Sequence, residues 1–135
     1  MAGNTYILCP GQGAQAVGMG KDFFDQFEVA RNVFASADKL LGWKLSDICF
    51  NGPEDRLNQT DIAQPAIYVT SIACFAVAKE AGVIEPEQVT AYAGLSLGEY
   101  TALHLAGVLS FEDGLKLVAA RGKYMQEAAL ATPSG

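Results

Sequence analysis

Apolar positions follow two periods along the chain. Thr5-Tyr6-Ile7-Leu8-Cys9 is a short apolar run stopped by Pro10 and Gly11, and it reads as a buried strand. Phe23, Phe27, Ala30, Phe34, Ala37 and Leu41 then recur every three or four residues, which predicts one amphipathic helix ending at Gly42. Residues 43–50 predict another short helix, and Asn51-Gly52-Pro53-Glu54-Asp55 a turn into a polar connector. Residues 61–81 are apolar nearly all round (Ile67, Val69, Ile72, Phe75, Val77), with Pro65 in the first turn and Gly82 just past the end. That pattern predicts a helix buried against a sheet. Val89-Thr90-Ala91-Tyr92-Ala93 is a second strand, and a helix-like stretch beginning Glu99-Tyr100-Thr101-Ala102-Leu103 runs to about residue 106. Ser110, with Asp113 at the reciprocal capping position, opens a last helix from Phe111 to about residue 130. The order strand, helices, strand, helix, helix is an α/β layout. Two strands are too few for a closed sheet and residues 131–135 bring no closing strand, so the sequence reads as a piece of something larger.

Between the second strand and the helix after it stands Gly94-Leu95-Ser96-Leu97-Gly98. This is the G-x-S-x-G nucleophile elbow in the context it requires, a strand before and a helix after. The turn is so tight that a side chain at Gly94 or Gly98 would clash with neighbouring backbone. The serine is pushed into a strained conformation that exposes its Oγ. The helix that follows points its free N–H groups and positive dipole end at the same place, where an oxyanion can be held.

Bulk properties narrow the field. The chain has 135 residues, half of them hydrophobic and 18% charged, which suits one folded domain. Net charge is −6 with no basic run, so a nucleic-acid partner or an anionic membrane surface is not expected. The longest apolar run, residues 63–78, is broken by Gln64, Pro65, Thr70 and Ser71 and is read as too short to span a membrane; no secretory signal is visible. Cys9, Cys49 and Cys74 are an odd, widely spaced set that suggests neither a metal site nor a disulfide framework, and a cytoplasmic location is expected.

Several other residues invite a chemical reading. Gly11, Gly13 and Ala16 nominally satisfy a dinucleotide fingerprint after a strand. That site needs a second strand ending in an acidic residue about 20 positions on, and a helix is predicted there instead. A tight loop beside the elbow, offering Gln12 or its backbone N–H to a substrate carbonyl, fits better; a simple Gly-rich turn is the plain alternative. His104, the single histidine, lies eight residues beyond Ser96. Along one helix that is about 12 Å of rise, beyond the ~3 Å of a base, so His104 reads as a packing residue. Arg121 could clamp a carboxylate in bidentate fashion, although on spacing alone a solvated surface arginine is the first reading. Gln64 is equally ambiguous, and Asn58, Gln59 and Asp61 read as connector polarity.

Four motifs in order resemble the malonyl-CoA:acyl carrier protein transacylases: Pro10-Gly11-Gln12-Gly13-Ala14-Gln15, Gln64-Pro65-Ala66, Gly94-Leu95-Ser96-Leu97-Gly98-Glu99-Tyr100, and Arg121-Gly122 with Met125-Gln126. The resemblance covers essentially all of residues 1–135, but only about the first half of a family member. It implies that Ser96 takes malonyl from malonyl-CoA as an acyl-enzyme and passes it to the phosphopantetheine thiol of acyl carrier protein, without a resident cofactor or metal. Gln12 and the Leu97 backbone N–H would form the oxyanion hole, Arg121 would bind the malonyl carboxylate, and Gln64 would line the site. The implied fold is part of an α/β-hydrolase-like core, lacking the ferredoxin-like insert and the C-terminal part. Many relatives carry His where this chain has Leu95, and the family's base histidine lies downstream of residue 135. The expectation is therefore that the 135 residues alone have little or no activity, with trace acylation allowed because an oxyanion hole without its triad can retain ~10³–10⁴-fold over water in proteases.

Other readings remain open at this point. A polyketide acyltransferase would share every motif, although a start at Met1 without a preceding linker favours a discrete protein of fatty-acid synthesis. A serine esterase would give Arg121 no task. A chain that binds acyl carrier protein or coenzyme A without turnover is the non-enzymatic possibility.

Overall fold

The computed structural model describes residues 3–132. Residues 1–2 and 133–135, on which the expectations about a signal segment and a closing strand partly rest, lie outside it. The elements run β1 (Thr5–Cys9), α1 (Lys21–Gln26), α2 (Glu28–Leu41), α3 (Leu45–Asn51), α4 (Glu54–Leu57), α5 (Thr60–Glu80), a 3₁₀ turn (Pro86–Gln88), β2 (Val89–Gly94), α6 (Leu97–Leu105) and α7 (Phe111–Ala131). Both expected strands are present and pair in parallel, with Leu8 opposite Ala93 and Cys9 opposite Gly94. Their C-terminal ends therefore lie side by side, and whatever follows each strand emerges at the same edge.

The predicted helix over 23–41 is two helices. Phe27 is extended, at φ −124° and ψ 124°, and divides α1 from α2. Arg31 compensates the freed carbonyls: its Nη1 donates to Phe24 O at 2.9 Å and Asp25 O at 3.3 Å. Periodicity passes over this break because Phe23 and Phe27 pack edge to face across it, 6.2 Å apart. The polar connector also differs from expectation: it holds the short helix α4, anchored by the fully buried Leu57. Pro65 sits inside α5 beyond its first turn, since the helix starts at Thr60.

The core is built around α5. Ala63, Gln64, Pro65, Ala66, Tyr68 and Val69 are buried in one stretch, and the helix packs against α2, α6 and α7. By length and composition α5 does reach what a membrane span requires, contrary to the sequence expectation. Gln64, Pro65, Thr70 and Ser71 interrupt the apolar run without ending the helix. Its all-round apolarity has an internal use here, since neighbours cover it on several sides. On one flank Phe34 packs against Phe24 and Phe50, with ring centroids 6.1 and 4.9 Å away. On the other, Tyr68 stacks on Phe111 and donates its hydroxyl to the Phe111 carbonyl at 3.0 Å. Burial, and then the nearby Asp113 carboxylate, push the Tyr68 hydroxyl above its ordinary pKa. Ser110 caps α7 as expected, accepting from Asp113 N–H at 3.0 Å.

One side chain of this core gives stability a pH signature. Burial pushes the Cys49 thiol up to about 12, well above its ordinary range. Its raised folded value means stability is intact below the unfolded thiol's pKa and declines as pH rises from there toward about 12. Across that window the loss from one such thiol approaches about 1.4 kcal/mol per pH unit. Cys49→Val should flatten the alkaline decline of the urea midpoint by up to that amount while leaving the midpoint at pH 7 nearly unchanged. An unaltered alkaline slope in the variant would show that Cys49 is not responsible.

Candidate active site

The site forms where the two strand ends meet. β2 leads into the elbow and α6, while β1 leads into the loop that begins Pro10-Gly11-Gln12. A β-carbon on Gly94 would overlap the backbone of Gly98, and one on Gly98 would overlap the Cys9 carbonyl. Strand, elbow and helix are therefore pressed together backbone to backbone. Gly11 closes the arrangement from the other side, since a β-carbon there would lie 3.0 Å from Leu95 O. Ser96, at φ 58° and ψ −116°, is the one non-glycine with positive φ among the described residues. Such backbone costs on the order of 1–3 kcal/mol and persists only where surroundings enforce it. The glycine contacts just described supply that enforcement.

Beyond Ser96 the turn uses its own donors: Gly98 N–H bonds to Leu95 O at 3.1 Å and Glu99 N–H to Ser96 O at 3.2 Å. The Leu97 N–H, first in α6, has no partner among the described residues, while the Leu97 side chain is fully buried and pins the helix start. A free N–H beside a nucleophile is what a developing oxyanion requires.

Arg121 lies on α7 with its guanidinium bridging the site. Nη2 donates to Ser96 Oγ at 2.9 Å and Nη1 to Gln64 Oε1 at 2.8 Å. The guanidinium carbon also sits 5.6 Å from the centre of the Tyr100 ring. The surface reading of Arg121 is thus corrected: a buried amide and an aromatic face hold it over Ser96. Gln64 is fully buried, and its Nε2 donates to Met125 Sδ at 3.1 Å, which leaves Oε1 facing the guanidinium. The close approach of α5 and α7 depends on Gly122, where a β-carbon would stand 2.9 Å from Thr60 O.

Gln12 lies on the loop beside the elbow, but its side chain reaches sideways: Nε2 donates to Thr60 Oγ1 at 3.0 Å. Thr60 in turn donates its N–H to Gln126 Oε1 at 3.1 Å. Asn58 receives Gln15 Nε2 at 3.0 Å. The connector polarity read from sequence is therefore in part a set of tethers to the Gln12 loop. The only sequence signal for it was a run of small polar residues placed just before an apolar helix. His104 is oriented elsewhere. Its Nδ1 pairs with the Leu109 carbonyl at 2.9 Å, and its ring packs against Tyr68 and Phe111. The dinucleotide reading also lacks its geometry, because α1 starts at Lys21, well past the Gly-rich loop, and α2 occupies the place of the second strand.

The acyl transferase domain family model matches residues 5–134. The chain belongs to the acyl transferase domain family. A Bacillus subtilis (strain 168) protein named malonyl CoA-acyl carrier protein transacylase is 47% identical over 122 residues, covering 90% of this acyl transferase chain and 37% of the relative. The human mitochondrial malonyl-CoA-acyl carrier protein transacylase is 40% identical over 131 residues, 97% of this chain and 33% of the relative. Among solved structures, a malonyl-transacylase in complex with a type II PKS acyl-carrier protein superposes with a TM-score of 0.87 at 41% identity. That superposition covers 98% of this chain and 41% of the other. The acyl transferase chain thus spans about a third of the length of these curated relatives, and its α/β fold is theirs over that span.

The elbow contacts make a direct test of the architecture. Gly98→Ala should lower unfolding stability in urea by at least about 2 kcal/mol through overpacking, even though alanine gains about 1 kcal/mol in helix propensity. Gly3→Ala, in open space, should stay within about 0.5 kcal/mol. Equal midpoints for the two variants would contradict the packing described.

Proposed function

We propose that this chain carries the nucleophile and carboxylate-binding part of a malonyl-CoA:acyl carrier protein transacylase. The observation that supports the reading most is the guanidinium of Arg121 hydrogen-bonded to the nucleophile itself while anchored on the buried Gln64. A fixed cation within bonding distance of Ser96 suits an acyl donor with a carboxylate a few atoms from its thioester, which malonyl has and acetyl lacks. In this reading Ser96 Oγ attacks the thioester carbonyl of malonyl-CoA, forming a C–O bond as the carbonyl electrons move to oxygen. The Leu97 N–H and Gln12 receive that oxyanion. Its collapse breaks the C–S bond, and coenzyme A leaves with the proton given up by the serine. The phosphopantetheine thiol of acyl carrier protein then attacks the serine ester, and the steps run in reverse. Arg121 holds the malonyl carboxylate throughout, and Gln64 holds Arg121.

The base belongs, in this reading, to polypeptide beyond these residues, because the single histidine is engaged with the Leu109 carbonyl. Residues 1–135 then constitute the first portion of an α/β-hydrolase-like core, and as an isolated polypeptide they acylate slowly and turn over little. Malonyl-CoA is a substrate here, and the mechanism assigns no resident metal or cofactor. Fatty-acid synthesis in the cytoplasm is the reading for pathway and place, supported by three free, mostly buried thiols; the human relative is named as mitochondrial, which is the alternative compartment. A polyketide role is the second reading, favoured by the superposition on a transacylase bound to a polyketide carrier protein.

The experiment is intact-mass spectrometry of the chain after incubation with malonyl-CoA or acetyl-CoA. A malonyl adduct should form on the wild type and be absent from Ser96→Ala. Arg121→Ala should lose malonyl over acetyl preference by at least about tenfold, the worth of one charged hydrogen bond. Equal acylation by both donors in the wild type, or an unchanged preference in Arg121→Ala, would overturn the assignment of Arg121. An esterase would show unaltered ester turnover in that variant.

A further inference from the structure

We propose that Tyr100 is a positioning residue that makes this site select a carboxylate-bearing acyl group, acting through Arg121. The inference rests on the assignment of Arg121 to the malonyl carboxylate, and it names the group that fixes the direction of the cation. The five N–H donors of a guanidinium lie in its plane, and its two faces carry none. Arg121 gives one donor to Gln64 Oε1 at 2.8 Å and one to Ser96 Oγ at 2.9 Å. Two bonds within one plane define a line, and the plane can still turn about that line. The Tyr100 ring stops the turn. The guanidinium carbon stands 5.6 Å from the ring centre, inside the ~6 Å over which an aromatic face attracts a cation. A ring occupies a face and no in-plane donor, so the N–H groups not given to Gln64 and Ser96 keep one direction.

The elbow sets the place of the ring. Tyr100 is the fourth residue of α6 (Leu97–Leu105), four residues beyond Ser96 on the helix that the elbow starts. Leu97 is fully buried and Gly98 is pressed on the Cys9 carbonyl, so the first turn of α6 is held in place. Arg121 comes from α7, which packs on α6. Ser96 and the cation therefore belong to different helices, and Tyr100 ties one to the other by a contact independent of the Ser96 hydroxyl. That independence counts in the acylated state. Once Ser96 carries an acyl group its Oγ is an ester oxygen, a poor acceptor that no longer holds Nη2. Gln64 and the Tyr100 ring then remain, and the carboxylate meets a cation that is still aimed. The same ring also packs on the hydrophobic core, a role that any apolar side chain of similar size fills; the cation needs the π face.

The test measures initial acylation of the chain by malonyl-CoA and by acetyl-CoA, read by intact-mass spectrometry. The variants are Tyr100→Phe, Tyr100→Leu, Tyr100→Met, Arg121→Ala, and Arg121→Ala combined with Tyr100→Leu. The readout is the ratio of malonyl to acetyl adduct, which a loss of folded protein leaves unchanged. Tyr100→Leu should lower the ratio about fivefold, whereas Tyr100→Phe, which keeps the face, should stay within about twofold of wild type. In the Arg121→Ala background Tyr100→Leu should change the ratio by less than about twofold, since the ring has no cation left to aim. Phenylalanines with successively more ring fluorines at position 100 give a graded series, because fluorine drains negative charge from the face while the shape is kept. The ratio should fall at each step. Urea midpoints identify the folded variants, and Tyr100→Met replaces Tyr100→Leu should the latter unfold. A wild-type ratio in the folded Leu or Met variant, an equal loss in Tyr100→Phe, or a flat fluorine series overturns the proposal and, where Arg121→Ala has lost its preference, leaves the reading of Arg121 standing. An unchanged ratio in Arg121→Ala, or a wild type that takes neither acyl group, overturns that reading and this proposal with it.

Discussion

Everything at this site depends on the contact of backbone against backbone at the ends of β1 and β2. Because Gly94 and Gly98 lack β-carbons, α6 can begin directly on the Cys9 carbonyl, and Ser96 has only one way to bridge strand and helix. The parallel pairing of Cys9 with Gly94 then brings the loop after β1 onto the elbow, where Gly11 rests on the Leu95 carbonyl. Parallel sheets place their functional loops at the carboxyl ends of the strands, and here two strands among the described residues bring Ser96 and the loop together.

A second layer of geometry sets the charge. Arg121 reaches Ser96 from a different helix, so its usefulness depends on how closely α5 and α7 approach. Gly122 permits that approach, and Gln64, buried in α5, turns its amide oxygen to the guanidinium because its nitrogen is taken by Met125. The amide is neutral. It orients the cation without cancelling it, whereas a carboxylate at the same place would have neutralised its charge. In a chain of net charge −6, this guanidinium is a local reversal of sign set against the Ser96 hydroxyl.

Much of this was legible in the sequence because the features concerned are local. The two strands, the long apolar helix, the Ser110 cap and the elbow each follow from a few consecutive residues whose spacing or φ requirements are specific. Ser96, Leu97, Gln64 and Arg121 could be singled out by motif, yet the joining of Arg121 to Ser96 crosses two helices and is invisible to spacing. The break at Phe27 is invisible to periodicity because the aromatic stripe stays in phase across it and Arg31, four residues later, supplies the missing hydrogen bonds. Asn58 reads as connector polarity because its partner, Gln15, is distant in sequence, and the bonds of Thr60 to Gln12 and Gln126 are invisible to spacing for the same reason.

The conformation of Ser96 carries a consequence for stability. A serine held at φ 58° is less comfortable than a glycine would be in the same place, since glycine meets no penalty there. Backbone stability therefore favours glycine at this position, and under the proposed reading the hydroxyl is what a serine adds there. A glycine at position 96 would relieve that backbone and leave the elbow's strand-to-helix contacts in place, so under the proposed reading the fold and the hydroxyl place opposite demands on this one residue.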